Sequence, residues 1–170
     1  SAAIMAAIAA MFALPLRNIA DVRPEIARVL AAEAHTTKTY QAALDAFKKG
    51  RATVEALAGV AGANVGELQE VDARLAALEH VPPEYDHLVR DARDYLRMRS
   101  EAWRLRADAV RRMNVSSPRS ADEQPSGPRR IQAEARYRSN MVAMGRAETA
   151  ERASMMVFER LRAPASESQP

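Results

Sequence analysis

Apolar residues recur at three-four spacing in four stretches of the chain, the period of helices that bury one face. The first stretch follows Asp21, placed to cap a helix, and Pro24, tolerated in a first turn. It puts Ile26, Val29, Leu30, Tyr40, Leu44 and Phe47 on one side until Gly50 interrupts it. Thr53 is placed to cap the second, which carries Leu57, Val60, Leu68, Val71, Leu75 and Leu78 up to the Pro82-Pro83 break. Pro83 suits the first turn of a third helix with Tyr85, Leu88, Val89, Leu96, Trp103, Val110 and Met113, ending near Asn114. A fourth pattern from about Arg129 to Arg162 includes Ile131, Tyr137, Met141, Val142, Met155, Met156, Phe158 and Leu161. Such helices of roughly 27 to 34 residues would each be about 40 to 50 Å long. The prediction is an all-α fold: an elongated antiparallel bundle of about four long helices over residues 17–163.

The intervals between patterns have their own chemistry. Residues 115–128, VSSPRSADEQPSGP, are rich in Ser and Pro and nearly free of apolar side chains, so they are expected to form a flexible loop. The tail 164–170 is expected to be disordered for the same reason. Residues 1–16, SAAIMAAIAAMFALPL, carry no charge, and the chain turns polar at Arg17. Sixteen residues fall short of the about 20 that cross a bilayer, so the segment is read as the end of a transmembrane helix. A terminal helix packed on the domain and a signal remnant are the alternatives. Arg17 and Arg23 are too few to fix which side of a membrane the bundle occupies.

Composition narrows the chemistry. Apolar residues make up 48% of the chain but aromatics only 5%, which favours a core of closely approaching helices. With no cysteine, disulfides, thiolate metal sites and a cysteine nucleophile are excluded. The net charge is +3, and 25 basic residues interleave with 22 acidic ones, so composition alone indicates no polyanion partner.

Residues 81–114 carry eight arginines and the single tryptophan. On a helix, Arg90, Asp94, Arg97, Glu101, Arg104, Asp108 and Arg111 form one row of alternating sign, the pattern of a solvated salt-bridge ladder. Arg90, Arg97, Trp103, Arg104 and Arg111 are the candidate interaction face, although heptad spacing also places Trp103 in the core. Because the row neutralises itself, nucleic-acid binding through these arginines and those at 129, 130, 136 and 138 is the weakest reading. Gly59, Gly62 and Gly66 surround Asn64, which indicates close helix packing, a break in the second helix, or a small pocket with Asn64 as its polar group. Glu84 and His87 have the Glu-x-x-His spacing of a di-iron site but no second such pair, and no hydrolase, phosphate-loop or dinucleotide motif occurs. No metal, cofactor or catalytic residue is therefore assigned.

The segments ALPLRNIADVRPEIARVLAAE at 13–33, ALDAFKKGRATVEAL at 43–57 and VPPEYDHLVRDARDYLRMRSEAWRLRADAVRR at 81–112 resemble the soluble C-terminal extension of some bacterial rhomboid-family intramembrane serine proteases. The resemblance implies a parent enzyme using a Ser-His pair within its membrane helices. Neither the family's Gly-x-Ser-Gly segment nor its membrane histidine is present, so it implies no catalytic role for any residue here. The expectation is a non-catalytic extramembrane domain, membrane-associated through residues 1–16, that acts by protein interaction, oligomerisation or regulation of a membrane-embedded partner. A four-helix small-molecule sensor is the alternative.

Overall fold

A computed structural model describes residues 21–116 and 127–167. Four helices form the described residues: α1 (Arg23–Lys48), α2 (Val54–Ala76), α3 (Asp86–Ser116) and α4 (Pro128–Glu167), with a short 3-10 turn, Pro83–Tyr85, leading into α3. No strand occurs among the described residues, and the predicted all-α bundle is the observed fold. The expected span at residues 1–16 lies outside the described residues; among those described, no helix is long and apolar enough to cross a membrane.

Local chemistry sets the boundaries. Thr53 caps α2 as its sequence predicts, its hydroxyl accepting the Ala56 N–H at 3.1 Å. The cap of α1 differs: Val22 holds that position without a side-chain bond, and Asp21 instead accepts the Arg23 N–H from one residue upstream. Gly50, at φ 68°, takes the left-handed conformation that ends α1, letting the Arg51 N–H reach the Ala46 carbonyl at 2.8 Å. At its far end the chain departs from expectation, because α4 starts at Pro128 and continues to Glu167, through residues expected to form the tail.

Helix lengths are unequal, contrary to the matched set predicted. α2 has 23 residues and α4 has 40, or about 35 and 60 Å of helix. The difference lies at the start of α4. Asn140 donates to the Arg112 carbonyl near the end of α3, and every residue from Ile131 to Ser139 is exposed, so these turns project past the bundle.

Packing follows chain order: α1 lies against α2, α2 against α3, and α3 against α4. α1 and α3 approach only briefly, and α1 and α4, the pair that would close the ring, hardly meet. The main core joins Val29, Ala61, Leu68, Leu75, Tyr95, Leu96, Trp103, Val157 and Leu161, all buried. A smaller cluster at the α1–α2 turn gathers Leu57, Ala58 and Val110, with Tyr40, Leu44 and Phe47 against them.

The glycines of α2 correct another expectation. α2 is unbroken, and Gly59, Gly62 and Gly66 are exposed with open space where a Cβ would stand, so they mark neither a helix break nor a close approach. Replacing Gly62 by alanine should therefore stabilise the fold by about 0.5–1 kcal/mol in urea unfolding, the ordinary helix-propensity gain. Leu68→Ala, at a fully buried site, should destabilise it by about 2–5 kcal/mol in the same assay.

Candidate functional site

The open α1–α4 side is spanned by a buried polar network. Glu33 stands on α1 one turn beyond Val29, at a position where the helical period calls for an apolar residue, and is 7% exposed. Facing it across the bundle is Arg99 of α3, 2% exposed, which grips the carboxylate with two bonds: Nε to Oε2 at 2.9 Å and Nη2 to Oε1 at 3.0 Å. Thr37, one turn along α1, donates to Glu33 Oε1 at 2.8 Å and accepts from Arg99 Nη2 at 3.1 Å. The Tyr95 hydroxyl completes the shell by donating to Glu33 Oε2. Both carboxylate oxygens are thus served, which is what makes burial of this charge tolerable.

Arg99 is also the link to α4. Its Nη1 lies 3.2 Å from Glu151 Oε1, and Arg106, two turns along α3, donates to Glu151 Oε2 at 2.7 Å. Arg106 Nη1 donates to the Met144 sulfur at 3.0 Å, and the Arg99 guanidinium sits 4.7 Å from the Trp103 ring centre. Glu33 and Glu151 balance Arg99 and Arg106, so the network is neutral as a unit.

The surroundings tune these groups. Burial pushes the Tyr95 phenol far above its ordinary range, reinforced by the Glu33 carboxylate. Burial opposes the charge on Arg99, but attraction and hydrogen bonding from Glu33 outweigh it and hold the guanidinium charged. For Glu151, burial pushes the carboxyl up while the Arg106 hydrogen bond and the Arg99 charge together bring it below its ordinary value of 4.5.

Next to the network is a cavity of ≈ 280 Å³ to which all four helices contribute, with Tyr40, Leu44, Phe47, Trp103, Val110 and Met113 as its apolar walls. Arg99, Arg106, Glu151, Thr37 and Gln41 supply its polar side. Tyr40 and Trp103 pack with ring centres 4.9 Å apart, and the Trp103 indole N–H is buried without an acceptor.

Of the residues singled out by sequence, Trp103 lines the cavity and the others fall elsewhere. Arg90, Arg97, Arg104 and Arg111 are exposed on the outer face of α3, where Arg97 bonds Asp94 and Arg104 bonds Glu101 as the ladder predicts. Trp103 is not part of that face; at 4% exposure it belongs to the core, because its heptad position points toward α1. Asn64 is buried, and its amide donates to the Thr36 carbonyl at 3.0 Å, tying α2 to α1; it does not line the cavity. Glu84 and His87 are both exposed at the start of α3, and among the described residues no three His, Asp or Glu side chains converge. No protein-family model matches the chain, and comparison with curated proteins and with solved structures gives no match.

Removing Glu33 leaves Arg99 buried with one partner fewer, so Glu33→Ala should cost about 3–5 kcal/mol in urea unfolding. The lowered Glu151 value has a defined sign: its contribution is complete above the ordinary 4.5 and is lost as pH falls through the lower folded-state value. Thermal melts at pH 7 and below 4.5 should show a smaller loss on acidification in Glu151→Gln than in the parent chain.

Proposed function

We propose that this chain is a non-catalytic association module that joins two copies through the outward face of α4. The observation that carries this reading is a second stripe on α4, turned away from the bundle. Ile131, Ala135, Arg138, Val142, Gly145, Thr149, Arg152 and Met156 follow one another at steps of four and three, and all eight are exposed. Ile131, Val142 and Met156 are 70%, 55% and 74% exposed, and Tyr137 and Met141 flank them. The four-three spacing is that of a helix-pair seam.

The stripe is complementary to itself when reversed. Laid antiparallel about its middle, Val142 meets Gly145, Arg138 meets Thr149, Ala135 meets Arg152, and Ile131 meets Met156. Large side chains oppose small ones in the centre and apolar residues oppose each other at the ends. The same register sets Arg138 beside Glu148 and Arg152 beside Glu134 of the second copy, so charges match as well. With residues 1–16 as a membrane segment, this pairing would bring two membrane-embedded domains together and so regulate them. That setting rests on the uncharged N-terminal sequence.

Light scattering over a range of concentrations, on the chain from residue 21 onward, should give twice the monomer mass. Gly145→Leu should give a monomer with an undiminished melt, since no neighbour within the chain opposes a side chain there. With no native cysteine, Val142→Cys/Gly145→Cys should cross-link between copies and Ile131→Cys alone should not. A monomer at every concentration, or cross-linking of Ile131→Cys to itself, would contradict the antiparallel pairing.

A further inference from the structure

Independently of that pairing, we propose that the cavity between α1, α3 and α4 is a binding site for a small organic carboxylate with an apolar body. Hydrogen-bonding capacity is left over on the cavity's polar wall. Arg106 directs Nη1 to the Met144 sulfur, a weak acceptor that an oxygen would displace. This under-served group is a donor, so what the cavity wall lacks is an acceptor. Two guanidinium groups converge on the same wall, which favours an anionic one.

Glu151 now occupies the place a ligand carboxylate would take. Its side chain is 37% exposed, while Arg99 and Arg106 are 3% and 17% exposed, so the carboxylate is the partner nearest solvent. It can turn outward while the arginines stay, and Glu33 keeps Arg99 in position throughout. The incoming carboxylate would bind Arg106 and the exposed side of Arg99, and its body would lie between Tyr40 and the Leu44, Phe47, Val110 and Met113 walls. At ≈ 280 Å³ the cavity is at the small end of ligand pockets and suits one ring or a short chain. A cationic ligand is disfavoured, because both acids already serve arginines.

Trp103 is the sole tryptophan, so its emission reports directly on the cavity. The full chain would be titrated with phenylacetate and hexanoate, and with phenylacetamide and phenethylamine as uncharged and cationic counterparts. The expected result is a saturable change in emission and a raised melting temperature with the carboxylates, at least tenfold weaker binding of the amide, and none of the amine. Arg106→Gln should weaken carboxylate binding by tenfold or more. Glu151→Gln should tighten it several-fold by removing the competing anion, and this sign is decisive should Arg106→Gln fail to fold. No saturable response to either carboxylate, equal affinity for all three charge types, or weaker binding by Glu151→Gln would overturn the proposal.

Discussion

Everything distinctive about this bundle depends on one buried charge pair, Glu33 with Arg99. The two residues stand on helices that scarcely approach each other, and their long side chains cross the gap. A bundle of short apolar side chains would close such a gap by moving the helices together. A bidentate pair with fixed geometry holds them apart instead, and its desolvation is tolerable only because Thr37 and Tyr95 satisfy the remaining lone pairs. The open α1–α4 side, the link to Glu151 on α4 and the cavity beside it all follow from that spacing.

A second consequence concerns where apolar surface is used. The core draws on all four helices, and from α4 Ala147, Ser154, Val157 and Leu161 face inward. The outward face of the N-terminal half of α4 keeps exposed apolar residues at helical spacing. A solvated helix end has no need of Ile131, Met141 and Val142 together, whereas a seam between copies does. Core, network and outward stripe therefore occupy different faces of the same helix.

The helices were legible in the sequence because apolar periodicity and capping residues are local signals. Thr53, Gly50 and the Pro82-Pro83 break each act within a few residues of where they stand. The C-terminal end of α4 was not legible, since Pro164 in a Ser- and Pro-rich tail reads locally as a stop, yet the helix continues through it to Glu167. The glycines of α2 misled for a similar reason: their composition suggests close approach, but which face they occupy depends on tertiary packing. The charge network left a sequence signal that pattern reading passes over. Glu33 falls between Val29 and Tyr40 on the apolar side of α1, and Arg99 falls between Leu96 and Trp103 on that of α3. Charged residues in phase with a core stripe indicate either snorkelling or burial, and only their mutual placement, 66 positions apart in sequence, distinguishes the two.

Glu33 and Arg99 act as one buried unit that holds the bundle open. The coupling energy between them, from a double-mutant cycle in urea, tests it most directly, with the exposed Arg93–Asp72 pair as reference. A coupling above about 2 kcal/mol is expected for the buried pair, against about 0.2–1 kcal/mol for the exposed one. A Glu33–Arg99 coupling no larger than the reference would mean that the two charges are separately solvated and that the open bundle has another cause.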